Sequence, residues 1–174
     1  MRPQDFITKI APNAVVDMKK TKIPASLTIA QAILESAWGE SGLTKKGNNL
    51  FGIKGTGPAG VCAMPTKENT TVNGQLSQLI SELTTTGGES IADHSKLILN
   101  GTKDKPTRYH GVLGADYKTA CHVIHKGGYA TDPGYPGKLI GLIEKYGLAK
   151  YDKEEITMKP EVANEIIDVY LQAA

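Results

Sequence analysis

Between Pro24 and Gly39 the chain places Leu27, Ile29, Ala30, Ile33, Leu34, Ala37 and Trp38 with one charged residue, Glu35, among them. At about 100° per residue these side chains form a wide apolar stripe, which has to be buried against other elements. Proline at 24 suits the first turn of a helix, and Gly39 suits a left-handed cap, so the pattern predicts a helix over 25–38. A helix of that kind requires a packed globular core, and the rest of the chain has to supply it.

The composition is sufficient for such a core. Of 174 residues, 40% are apolar and 22% charged, an ordinary globular balance. Phe6, Ile7, Ile10, Ala14, Val15 and Met18 predict an earlier helix that Pro12 breaks or kinks. Between 39 and 87, glycines at 39, 42, 47, 52, 55, 57, 60 and 74 exclude long helices. There Asn73-Gly74 separates Glu68–Val72 from Gln75–Ile80, which reads as a β-hairpin, although the second arm also fits a helix. Further helices are predicted at 89–99, 115–126, 136–146 and 160–172, each of the first three stopped by glycine. The fold class is therefore α+β, mainly helical with a small β-hairpin lobe. The expected division is a globular unit over 1–152, with its β-lobe at about 51–87, followed by a helical appendage over 153–174.

Charge and cysteine content exclude several functions. Lys+Arg total 20 against Asp+Glu 18, a net +2 that gives no general attraction to nucleic acid. No apolar run approaches the ~20 residues that span a bilayer, so no membrane insertion is expected. The start, Met1–Phe6, shows no secretory signal. Cys62 and Cys121 are too few for a disulfide scaffold, and without export they stay reduced. Cys121 or His122, three or four residues before His125, has the spacing of a partial metal site, but such a pair lacks a third and fourth ligand elsewhere. Gly55, Gly57 and Gly60 match a dinucleotide fingerprint in spacing, yet Pro58 and the absence of a following helix deny it. No metal and no cofactor is expected.

Glu35 needs an explanation. It sits in the last turn of the central apolar helix, where the helix dipole disfavours a carboxylate. On the helical wheel it lies beside Thr28 and Gln31, with Trp38 three residues on. Burial against Leu34 and Trp38 would also disfavour its charge, so its pKa is expected to be raised. A glycosidase general acid needs that property. A solvated glutamate on a helix margin would give the same pattern with no function.

The segment Pro24-Ala25-Ser26-Leu27-Thr28-Ile29-Ala30-Gln31-Ala32-Ile33-Leu34-Glu35-Ser36-Ala37-Trp38-Gly39 continues through Ser41-Gly42-Leu43 to Asn48-Asn49-Leu50-Phe51-Gly52-Ile53-Lys54-Gly55. A second block runs Gly128-Tyr129-Ala130-Thr131-Asp132-Pro133-Gly134-Tyr135 and on to Lys138-Leu139-Ile140, and Glu89–His94 forms a third. Together these resemble the endo-β-N-acetylglucosaminidases of glycoside hydrolase family 73, which occur in autolysins, flagellar-rod peptidoglycan hydrolases and phage lysins. The resemblance covers about 3–152. It implies a lysozyme-like fold with the β-lobe beside a catalytic cleft, and cleavage of the N-acetylglucosaminyl-β-1,4-N-acetylmuramyl bond of peptidoglycan.

Carried over by position, Glu35 falls on the family's catalytic acid, Glu68 near its second carboxylate and Tyr129 on its active-site tyrosine. Trp38, Asn49, Phe51 and Tyr135 are the expected substrate contacts. Glu68 would activate water or stabilise the cationic transition state; the substrate's own acetamido oxygen is the other route, and the 33 positions from Glu35 to Glu68 set no distance. Ser81–Gly87 departs from the aromatic-basic strand usual in the family. A muramidase or lytic transglycosylase on the same plan, or a non-catalytic glycan-binding domain, remains the alternative. The expected partner is the peptidoglycan glycan strand, met by a monomer. With no visible leader, the expected setting is a phage lysin released through holes made by another protein, or a trimmed piece of a secreted autolysin.

Overall fold

The computed structural model describes residues 2–53, 60–65, 78–83 and 87–153. In chain order the elements are α1 (Pro3–Thr21), α2 (Ala25–Ser36), α3 (Gly42–Gly47), β1 (Gly60–Pro65), β2 (Gln78–Leu83), α4 (Gly87–Asn100), α5 (Tyr117–Lys126) and α6 (Tyr135–Lys145). Short 3-10 turns at His110–Val112 and Leu148–Asp152 complete the path.

Helix α2 is the hub. Every residue from Ala25 to Ile33 is buried, and the helix touches α1, α5, α6 and the turn at Leu148–Asp152. Such a helix still has to satisfy the free N–H groups of its first turn. Asp152 does so from the far end of the described chain, accepting from Ser26 N at 2.8 Å and from Ser26 Oγ at 2.6 Å. The carboxylate also complements the positive end of the helix dipole.

Helix α1 runs continuously through Pro12, so of the break or kink expected there the break does not occur. Its face of Phe6, Ile7, Ile10, Ala11, Ala14 and Val15 is buried, and it packs on α2 and α4. Burial at about 1.5–3 kcal/mol for each large side chain outweighs the ~3 kcal/mol that an internal proline costs. Asp17 ties the pair together, its Oδ2 accepting from Ser95 Oγ on α4 at 2.5 Å.

The end of α2 differs from the sequence reading. The helix stops at Ser36, and Ala37, Trp38 and Gly39 follow with φ of 50°, 62° and 77°. Left-handed backbone costs a non-glycine residue ~1–2 kcal/mol, so something must hold it. The Ser36 hydroxyl donates to Ala32 O at 2.5 Å and accepts from Gly39 N at 2.8 Å. Trp38, thrown off the helix axis, packs edge-on against Phe6 at 6.0 Å and Tyr146 at 5.0 Å between ring centres.

Strands β1 and β2 pair antiparallel, from Gly60 opposite Leu83 to Pro65 opposite Gln78. The expected arms at 68–72 and 75–80 overlap this ladder only at 78–80. A two-residue turn at Asn73-Gly74, continued in register, would set Pro65 opposite Glu82. Valine is enriched in strands while asparagine and glutamate are depleted, in keeping with a first strand that includes Val61 rather than Glu68 and Asn69. The turn itself, Glu68 and the expected appendage from residue 154 onward lie outside the described residues. No described helix is long and apolar enough to cross a membrane.

Candidate active site

Helix periodicity puts Gln31 and Glu35 on one face of α2, one turn apart. Opposite them stands the loop from α5 to α6. Its shape depends on Gly127, where a Cβ would meet the Tyr109 ring at 2.5 Å and Arg108 O at 2.9 Å. Gly128 follows at φ +92°, a conformation glycine adopts readily. Asp132 then folds the loop: Oδ2 accepts from Lys138 Nζ at 2.6 Å and Oδ1 from Gly134 N at 2.9 Å. The Lys138 and Gly134 contacts hold the Asp132 carboxyl below its usual pKa.

Between helix and loop lies a groove of about 460 Å³, lined by Leu34, Glu35, Tyr129, Ala130, Thr131, Asp132, Tyr135 and Lys138. Glu35 opens to solvent along it, yet the walls remove enough water from the carboxyl to raise its pKa. A hydrogen bond from the Tyr135 hydroxyl to Glu35 Oε1, 3.0 Å long, opposes that rise. The Tyr129 ring stacks on Tyr135 at 6.1 Å, and burial pushes its phenol well above the ordinary tyrosine range.

Behind Tyr135 a row of buried polar groups runs into the core. Gln31 Nε2 donates to Tyr135 Oη at 3.1 Å, and Gln31 Oε1 lies 2.9 Å from His94 Nε2. His94 is fully buried, stacked on Phe51 at 4.0 Å and edge-on to Tyr129 at 5.8 Å. That enclosure depresses its pKa to about 3, so the imidazole is neutral.

Three of the sequence candidates, Glu35, Tyr129 and Tyr135, thus share one groove. Tyr135, read as a substrate contact, spends its hydroxyl on Glu35 and Gln31. Trp38 is not among the groove's described lining, because the left-handed exit from α2 turns it toward Phe6. Asn49 and Phe51 are buried away from the groove. Asn49 Oδ1 accepts from Phe51 N and Ile53 N at 3.2 and 3.3 Å, shaping the loop after α3, and Phe51 is the floor under His94. Glu68 lies outside the described residues. Cys121 is a free thiol in the core and His122 is exposed, whereas His125 stacks on Tyr135 at 6.5 Å. Among the described residues no group of three or more metal-ligating side chains converges.

Gln31 and His94 were missed as site residues. Gln31 did carry a signal, since an amide between Ala30 and Ala32 in a mainly apolar helix that has to be buried must find buried partners. His94 carried none beyond its place in a family block.

Residues 11–148 match a family model, Glucosaminidase, described as mannosyl-glycoprotein endo-beta-N-acetylglucosaminidase. The chain belongs to this glucosaminidase family. The match takes in Gln31, Glu35, His94, Tyr129 and Tyr135, while Asp152 lies beyond it. The chain is 38% identical over 157 residues to the exo-glucosaminidase LytG of Bacillus subtilis, covering 90% of this chain and 56% of that protein. It therefore spans just over half of that relative's length. The catalytic domain of the autolysin Auto from Listeria monocytogenes superposes with a TM-score of 0.78 at 36% identity, covering 86% of each chain. A mutant peptidoglycan hydrolase from Sphingomonas sp. A1 superposes at 0.66 with 30% identity, over 85% of this chain and 97% of that one.

Proposed function

We propose that this glucosaminidase-family chain hydrolyses peptidoglycan at the β-1,4 bond joining N-acetylglucosamine to N-acetylmuramic acid, with Glu35 as the general acid. The observation that carries this reading is Glu35 itself: a carboxyl with a raised pKa, open to a sugar-sized groove and held on Oε1 by Tyr135. Protonated, it delivers its hydrogen to the leaving glycosidic oxygen as positive charge builds on the glucosamine ring. Tyr129, beside it, orients the acetamido group or the attacking water. Either Glu68 or the substrate's own acetamido oxygen supplies the nucleophilic partner. The β1–β2 ribbon serves as a lobe flanking the groove, the chain acts as a monomer, and its place of action is the bacterial wall. The relatives' names, an exo-glucosaminidase, an autolysin and a peptidoglycan hydrolase, support the same substrate.

Mass spectrometry of fragments released from purified peptidoglycan tests the proposal. The broken bond starts at C1 of glucosamine, so each cut must leave N-acetylglucosamine at the new reducing end. Muramic acid at that end would instead identify a muramidase. Glycan binding without any release would identify a non-catalytic domain.

A further inference from the structure

Glu35 has two oxygens, and only the one facing the groove can hand a proton to a sugar. The polar row His94–Gln31–Tyr135–Glu35 has two self-consistent directions. In the first, His94 Nε2–H donates to Gln31 Oε1, Gln31 Nε2–H donates to Tyr135 Oη, and the Tyr135 hydroxyl donates to Glu35 Oε1. In the second, every donor is reversed: Glu35 donates to Tyr135, Tyr135 to Gln31 Oε1, and the Gln31 amide to His94 Nε2. That second direction requires the imidazole hydrogen on Nδ1.

The two directions are not equivalent, because His94 Nδ1 is buried and finds no partner among the described residues. Orphaned buried N–H groups are rare in folded proteins, whereas under-satisfied acceptors occur more often, so the unpartnered Nδ1 is better accommodated as a bare lone pair than as an N–H. The dry side of the imidazole therefore selects the first direction. Resting on the reading of Glu35 as the acid, we infer that Gln31 and His94 are positioning residues: the fixed direction of their hydrogen bonds makes Glu35 Oε1 an acceptor and confines the transferable proton to Oε2. A row of two ordinary core side chains would only add packing. A directed row makes the His94 tautomer decide how the acid presents its proton.

The test uses His94→Phe, which keeps a ring against Phe51 but removes the donor, and His94→Gln, whose amide N–H restores one. His94→Phe is expected to lower kcat about tenfold with KM within about twofold, since positioning losses away from the chemistry reach about a hundredfold. His94→Gln is expected to recover most of that loss. Folded His94→Phe with unchanged kcat would overturn the inference, as would equal losses in both variants. Nitrogen NMR of the unmodified protein reads the tautomer without any substitution. Hydrogen on Nε2 is expected across the range where the protein is folded, and hydrogen on Nδ1 would overturn the inference. Glu35→Gln in the same assay separates the two readings: full activity there refutes Glu35 as the acid, while an inactive Glu35→Gln beside an unaffected His94→Phe refutes only the directed row.

Discussion

The hydroxyl of Tyr135 lies 3.0 Å from Glu35 Oε1, joining the first residue of α6 to the last turn of α2 across 100 positions of sequence. This contact tempers how the carboxyl titrates. Burial lifts its pKa and the phenol restrains the lift, so the acid is tuned by two opposed effects.

Glu35→Gln should reduce hydrolysis by at least about a hundredfold, the lower range for loss of a general acid. It should not destabilise the fold. A raised folded pKa confers stability that is complete below the unfolded value of 4.5 and is lost as pH rises through the folded value. Removing the charge removes that loss, so thermal unfolding should show a higher midpoint for the variant near neutrality and no difference at pH 3.

Tyr135→Phe removes the contact that holds the Glu35 pKa down. The alkaline limb of the kcat profile should therefore move to higher pH, with Tyr129, Asp132 and Lys138 still facing the groove. The amide of Gln31 loses its acceptor as well, which is expected to destabilise the protein by about 1–3 kcal/mol in urea titration.

His94 predicts how the protein responds to acid. Its folded pKa of about 3 lies below the ordinary 6.5, so the stability of its neutral burial is present above 6.5 and drains away as pH falls toward 3. The slope of unfolding free energy in that window should contain a contribution of up to about 1.4 kcal/mol per pH unit. Denaturant titrations at several pH values should show the slope flattened in His94→Phe.

Asp152→Ala leaves Ser26 N without its acceptor at the start of the hub helix. Loss of such a cap costs about 0.5–2 kcal/mol. The denaturant midpoint should fall while kcat changes little, since the cap lies at the opposite end of α2 from Glu35.

Gly127→Ala forces a methyl to within 2.5 Å of the Tyr109 ring. Overpacking of this kind costs about 1–3 kcal/mol. Tyr109 also rests on Tyr129 at 6.3 Å, so near-ultraviolet circular dichroism should report a change in the tyrosine stack along with the stability loss.

The central helix, the three helices between residues 87 and 146 and the costly placement of the Glu35 carboxyl were legible in the sequence. Each follows from local rules: apolar period, proline and glycine punctuation, and a carboxylate where a helix disfavours one. Those rules end where contacts are distant. Trp38 sits three residues from Glu35 in sequence, yet left-handed backbone at 37–39 turns it onto Phe6 and Tyr146 rather than into the groove lining. Asn49 and Phe51 stand in a recognisable block, but their partners are a loop backbone and a buried imidazole.

Sequence alone determined which segment forms the core and which carboxyl is in an unfavourable place, because periodicity and dipole act within a few residues. Tertiary structure alone decided what that carboxyl touches. Tyr135 reaches it from α6, and the row behind Tyr135 runs through Gln31 of α2 to His94 of α4; a hydrogen bond of about 3 Å between elements distant in sequence leaves no trace in the order of residues along either one.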